Sequence, residues 1–468
     1  MRVLFLVIIC LTAISGAVNA QDLSCPSTVT LNGGTLEVTS DNSGDDTESL
    51  QCAIDFAIEA GFRDIFLSSS VYDIGAISAS GFRGDLRGKS KGATVVSIKN
   101  GVLNCSDAMG AAMEFQVGNV SVRNMTISVD SPCFGGGEGT AASVIAFRSN
   151  AANCADRTVF GNVDRVVIAG TGPKGSDTVV GINVDVAPGC SSDQKVLGTL
   201  KVNRSELRDL ELGVQTSIGG GGQVDINYNS LARVGLPISF LDANQSTTIL
   251  ANKITFNDVN TYNPLTGLGI TAIYVASTAA SPNTNATTIK KNTFTDGGLS
   301  ANGTAVLVGQ AEKGIDHKMA ITGNTFQGRS TNTAGGGLVA IDTKDGVVSG
   351  NTFVSAAGSW ITLSSGDISQ FFVGREVSGW AIVANEFSGS TATTDISLGE
   401  GTSGVIVGRS QGFPKVDDVT GANDILESYT PSNTAVAKRP RSVGAATSPT
   451  ELFYQQLSTL MRLDPLHD

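Results

Sequence analysis

The 468-residue sequence predicts an all-β right-handed parallel β-helix, a solenoid of roughly ten coils, with an N-terminal capping α-helix and a C-terminal amphipathic helix. Three observations predict it. First, one pattern returns six times: a β-branched residue, two positions, Asn, one position, then a large apolar residue. It reads Ile226–Asn229–Leu231, Ile249–Asn252–Ile254, Ile289–Asn292–Phe294, Ile321–Asn324–Phe326, Val348–Asn351–Phe353 and Ile382–Asn385–Phe387. A fixed core with variable gaps is the signature of stacked repeats carrying loop insertions. Second, a short alternating strand lies between successive Asn positions, as in Ala272-Ile-Tyr-Val275, Ala305-Val-Leu-Val308, Leu338-Val-Ala-Ile341, Trp360-Ile-Thr-Leu363 and Asp395-Ile-Ser-Leu398. Third, 56 glycines and only 16% charged residues suit a chain that turns often and stacks neutral side chains.

Residues 1–20 read as an export signal. Arg2 supplies the positive start, Val3 to Ile14 form an apolar run too short to span a bilayer, and Val18-Asn19-Ala20 offers a small-residue cleavage site. No later segment is apolar for long enough to span. The expected location is therefore secreted and extracellular, or periplasmic in a Gram-negative source. In residues 21–75 an N-terminal strand precedes the capping helix, which starts at Thr47, runs through Leu50, Ile54, Ala57 and Ile58, and stops at Gly61. Residues 76–427 hold the coils. Residues 428–448 are rich in Pro, Ser, Thr and Ala, with a basic knot at Lys438, Arg439 and Arg441, and read as a linker. In 449–468, Ser448-Pro449-Thr450-Glu451 opens a short amphipathic helix bearing Leu452, Phe453, Leu457, Leu460, Met461 and Leu463, suited to fold back as a lid or to dock elsewhere.

In the coils, each Asn is expected at a corner between two strands, in the left-handed backbone conformation, with its amide bonded to the Asn residues above and below. Period-2 alternation places Ile273, Val275, Val306, Val308, Val339, Ile341, Ile361, Leu363, Ile396 and Leu398 inside. It places Tyr274, Leu307, Ala340, Asp342, Trp360, Thr362, Asp395 and Ser397 outside.

Removing the signal leaves Cys25, Cys52, Cys105, Cys133, Cys154 and Cys190, an even number in a chain bound for an oxidising compartment. No pair has C-x-x-C spacing and histidines are few, which disfavours a metal site and favours three disulfides. Cys154 and Cys190 follow strands of neighbouring coils, so they are expected to pair. Cys25 with Cys52 and Cys105 with Cys133 are then the simplest remaining pairs. The formal charge of −12 argues against nucleic acid and anionic membrane surfaces. Asn-x-Ser/Thr sequons start at Asn104, Asn119, Asn124, Asn203, Asn244, Asn285 and Asn302, about as many as this composition yields by chance.

The stretch Asp45-Asp46-Thr47, then Leu50-Gln51-Cys52-Ala53-Ile54, then Ile65-Phe66-Leu67 and Tyr72, resembles the N-terminal signature of the pectate lyase-like superfamily. With the Gly-Asn-Thr-Phe corners, the resemblance covers residues 41 to 410. It implies a right-handed β-helix whose partner is an extracellular polysaccharide or glycan, lying along one outward strand face. It does not imply a reaction, because the superfamily holds lyases, hydrolases, epimerases, tailspikes and adhesins. The Asn-Thr-Asp, Asp-pair and Gly-His-Gly motifs of polygalacturonases are missing, as are the Tyr-Gly-Phe-Asp-Pro-His stretch of mannuronan epimerases and the Trp-Ile-Asp-His and Arg-x-Pro-x-x-Arg patterns of pectate lyases. The histidines His317 and His467 lack the required contexts, and Asp417-Asp418 lies past the repeats.

On the expected outward face, Tyr274 and Trp360 are substrate-binding candidates, since aromatic rings make platforms for sugars. A lyase acting on uronates needs a cation for the carboxylate and a base for the α-proton. Lys344, Asp342, His317 and Lys318 are the catalytic candidates and Arg375 a further substrate cation. Asp342 with Asp345 offers a Ca²⁺ site. Singly, each of these charged loop residues reads more simply as a solvated turn. Two functions follow: a carbohydrate lyase or glycoside hydrolase, or a non-catalytic β-helix that binds glycans or builds a surface or matrix structure.

Overall fold

The computed structural model describes residues 24–426 except 43, 100–101, 104–109, 130–141, 172–178, 188–189, 191–195, 219–221, 242–245, 257–269, 278–285, 297–302, 311–317, 330–335, 342, 357–358, 365–376, 390–393 and 413. The signal, linker and C-terminal helix expected at 1–20, 428–448 and 449–468 lie outside the described residues, as do Cys105, Cys133, His317, Asp342 and Arg375.

Each coil contributes strands to three parallel sheets. The first sheet stacks Thr35–Val38, Asp64–Leu67, Arg83–Arg87 and the start of Asn119–Val129, and continues through Ala286–Lys290 and Gly346–Ser349 to Asp424–Ile425. The second carries the stretch after the Asn corner. The third begins at Ile77–Ser80 and Ala111–Gln116 and ends at Val416–Asp418. Among the described residues it contains eleven successive parallel pairings, hence twelve strands, in keeping with a solenoid of roughly ten coils or slightly more.

The Asn corners form a continuous buried ladder. Asn324 shows the pattern: its side-chain amide donates to Asn351 Oδ1 (3.0 Å) and to the Ile289 carbonyl (2.8 Å), and its backbone N–H donates to Asn351 Oδ1 (2.9 Å). The same bonds run from Asn229 to Asn385, with Ser205 and Ser410 closing the ends. Every rung satisfies a backbone carbonyl and an N–H that the bend takes out of the sheet. The left-handed residue is not the Asn but the one before it. It is Tyr228, Ala251, Lys291, Gly323, Gly350 and Ala384 in the six repeats, and Asn124, Arg165 and Arg204 in earlier coils. The Asn side chain must point inward to reach its neighbours, so the preceding residue takes the turn. Inside the next strand, Phe294, Phe326, Phe353 and Phe387 stack at 4.8, 4.8 and 4.9 Å. One strand spacing separates the rings, as stacked coils require.

The N-terminal end is closed by the helix Thr47–Ala60, ended by Gly61 at φ 77°. Its Asp-Asp-Thr start ties the helix to the first coil instead of capping it. The Asp46 carboxylate accepts from the Asp73 backbone N–H and the Ser40 hydroxyl. Thr47 Oγ1 donates to Asp45 and accepts from Gly75 N–H. Gln51 bonds to both backbone groups of Ser78. The Cys25–Cys52 disulfide fastens the preceding hairpin to this helix, and Cys154–Cys190 joins neighbouring coils with Cα atoms 5.5 Å apart. Among the described residues no helix is long and apolar enough to cross a membrane.

The third sheet corrects the expected placement at two points. Leu338 and Ala340, not Val339 and Ile341, fall in register with the inward residues Val306, Val308, Ile361 and Leu363. Trp360 is fully buried in the core, its ring 5.4 Å from that of Phe353. It occupies the corner before its strand, in line with Ala272, Ala305 and Gly337, where alternation does not apply. At Gly337 a Cβ would come within 2.8 Å of the Phe353 ring.

Candidate functional site

The two aromatic platforms expected on the third sheet are not available to a ligand. Trp360 is core. Tyr274 does face outward between Ser239 and Leu307, away from the main core, but it is only 6% exposed, and burial pushes its hydroxyl up to about 12. Among the described residues most of the outward face of this sheet is buried between Ala142–Arg148 and Leu307, with Asp185 and Gln215 partly exposed. It carries the ion pair Arg148–Glu114 (2.8 Å), whose guanidinium is almost wholly buried, with Nε and Nη2 unpartnered among the described residues.

Of the expected catalytic and metal residues, Lys318, Lys344 and Asp345 are described. Asp345 and Lys318 stand on neighbouring coils, joined where the Met319 N–H donates to the Asp345 carbonyl. Lys344 bridges to Ser378 in the next coil. Asp345 is exposed and left-handed at φ 58°. Among the described residues no three His, Cys, Asp or Glu side chains converge as metal ligands.

A groove lies elsewhere, on the outward face of the first sheet. It encloses about 760 Å³ and is lined by Arg63, Arg83, Asp85, Asn119, Asp156 and Phe160, among others. Strand register makes it. Arg83, Asn119 and Phe160 align across three coils, and Asp85, Ser121 and Asn162 align one pleat further on. Thr199 and Gln223 extend the first row into the next two coils. Phe160 alternates with the inward Val159 and so stands outward, 42% exposed. The floor depends on close backbone approach: a Cβ at Gly84 or Gly118 would meet the carbonyl oxygen of Arg63 or Phe82 at 2.3 Å.

Asp156 arrives on a loop that is held from several sides. Asn150 Oδ1 accepts from Ala152 and Asn153, the Asn150 N–H donates to the Asp156 carbonyl, and Cys154 is bonded to Cys190. Asp85 is paired with Arg123. Arg63 and Arg83 have no ion-pair partner among the described residues, so two forked donors face the groove beside an apolar ring. That combination can hold hydroxyls or an acidic group against a flat sugar face. Sequence reasoning missed these residues. The one local signal was an apolar residue, Phe160, at an outward position of an alternating strand.

No family model matches the sequence, and no curated protein matches it. Solved structures do resemble it. Tailspike protein 3 of bacteriophage CBA120 is 13% identical with a TM-score of 0.51, over 87% of this chain and 63% of the tailspike, so the chain spans under two thirds of that protein. The A-modules of the Azotobacter vinelandii mannuronan C-5 epimerases AlgE4 and AlgE6 are each 13% identical. Their TM-scores are 0.49 and 0.46, over 84% and 83% of this chain and 96% and 97% of theirs. The likeness is one of fold: the chain is a right-handed parallel β-helix.

Proposed function

We propose that this protein acts extracellularly on a polysaccharide, which it engages in the first-sheet groove. The observation that carries the proposal is an exposed ring, Phe160, aligned with Asn119 and Arg83 on an open strand face. Sugar rings stack on aromatic faces while their hydroxyls bond to planar amide and guanidinium groups. The neutral Thr199 and Gln223 continue the row, which suits a polymer crossing several coils. Two disulfides within residues 25–190 favour an oxidising compartment. Among the structural neighbours, one is a mannuronan C-5 epimerase module and another a surface protein and adhesin of Streptococcus pneumoniae, so this fold serves both catalysis and attachment.

A second reading, a lyase or hydrolase centred on Lys344 and Lys318, is favoured by one feature: strand register sets Lys318 and Asp345 opposite one another on neighbouring coils. A polysaccharide panel separates the two. Binding abolished by Phe160→Ala with neither unsaturated uronates nor new reducing ends supports the groove as a binding site. Turnover lost in Lys344→Ala but kept in Phe160→Ala supports the second reading.

A further inference from the structure

The corner that precedes the Asn ladder carries a row of side chains that the fold does not need. At this position every described coil from Asn124 to Ala384 has a left-handed backbone. Glycine adopts that conformation freely, and Gly323 and Gly350 fill it in two coils. Four other coils place long side chains there instead: Arg165 at φ 55°, Arg204 at 50°, Tyr228 at 60° and Lys291 at 56°. A residue kept in a strained conformation where a glycine would serve points to a use for its side chain. All four project into solvent. Arg165 and Arg204 have about half their side-chain surface exposed, and Tyr228, at 61%, is among the most exposed large apolar groups of the described chain.

Strand register puts them in line. Arg165, Arg204, Tyr228, Ala251 and Lys291 occupy five successive coils, so the row spans four steps of roughly 4.8 Å along the axis. Lys290 adjoins its far end. Among the described residues the carboxylate paired with the row is Asp164, bidentate to Arg204 at 2.8 Å and 3.9 Å from Arg165. The ridge is therefore net cationic on a chain whose formal charge is −12. Strand Thr158–Ala169 links it to the groove, bearing Phe160 near its start and Arg165 at the bend within it.

We infer that this corner ridge is an interaction surface for an anionic polysaccharide, a chain with a carboxylate or sulfate on its sugars, laid along the helix axis. Arg165, Arg204 and Lys291 meet the acidic groups and Tyr228 stacks on a ring between them. Three cations over five coils suit a linear polymer that carries acidic groups along its length. Tyr228 supplies what a purely electrostatic surface lacks. The overall negative charge disfavours duplex DNA, whose charge density is far higher. The ridge does not depend on the groove being a glycan site, since the two use different residues.

The test replaces Arg165, Tyr228 and Lys291 together by glycine, leaving Arg204 to hold Asp164. Relieving three strained positions should leave the melting temperature unchanged or raised. Binding of dextran sulfate and of polygalacturonate should weaken about tenfold at low salt, with a shallower dependence on ionic strength. Neutral dextran binding should not change. The carboxylated and sulfated probes distinguish which acid the ridge prefers, and loss of either supports the inference. Unchanged binding of both anionic probes, an equal loss for neutral dextran, or tighter binding of a DNA duplex than of either probe would overturn it. A Phe160→Ala variant run alongside reports on the groove separately.

Discussion

Asn324 and Phe326 are two residues apart in sequence and do different work. Phe326 is a ring in a stack, sandwiched between Phe294 and Phe353, and its removal leaves a cavity that the rigid ladder cannot collapse around. Phe326→Ala should therefore lower stability by about 3–5 kcal/mol, read from denaturant or thermal melts. Asn324→Ala should cost about 1–3 kcal/mol, because it strands the Ile289 carbonyl and two neighbouring Asn groups without filling their bonds. If both changes leave the melts untouched, the ladder does not hold the coils together. Acid should act through other residues. Hydrogen bonds from Lys99 and then Thr47 lower Asp45 to about 2, and the Arg87 and Arg233 guanidinium groups lower Asp64 and Asp209. Carboxyls depressed in the folded state stabilise it above the ordinary carboxylate range and lose that contribution as pH falls toward 2. Melting temperature should thus be flat near neutrality and decline below about pH 4. A decline that begins between pH 6 and 7 would point to other groups.

At the scale of elements, what the sequence discloses depends on whether a rule repeats. The six Asn corners, the Phe stack and the helix between Thr47 and Gly61 were legible because each obeys one local rule, and the Asn corners and the Phe stack repeat theirs coil after coil. Trp360 was not, because alternation holds within a strand and fails at the corner where this residue sits. Ala340 falls on the inward face for a related reason. Leu338-Val-Ala-Ile341 is apolar throughout, so its pattern fits either register, and only pairing with Val306 and Val308 decides. The groove was invisible for a third reason: Arg63, Arg83, Asn119 and Phe160 come from four separate coils with no fixed spacing, and Asp156 from the loop before Phe160. Corners also explain which glycines cannot change. A Cβ at Gly346 would come within 2.2 Å of the Trp380 ring, whose Nε1 donates to the Thr343 carbonyl. Gly346→Ala should destabilise by about 1–3 kcal/mol through overpacking. A melt indistinguishable from wild type would mean that Trp380 moves freely.

For the whole molecule, the three sheets differ in what they offer a partner. The third presents a long outward face that is buried along most of its length. The first presents an open face with polar side chains, one exposed ring and two arginines without partners among the described residues. A polymer partner is consistent with that difference, since it can cross several coils without entering a closed pocket. The account stands or falls on whether a polysaccharide binds there. Isothermal titration of the wild-type protein, Phe160→Ala and Arg83→Ala against a panel of neutral and acidic polysaccharides measures this directly. Both substitutions lie on an open face and should leave the fold intact. The account predicts binding of at least one polysaccharide by the wild type and about tenfold weaker binding by each variant. Wild-type binding that survives both substitutions unchanged, or no binding across the panel, would contradict it.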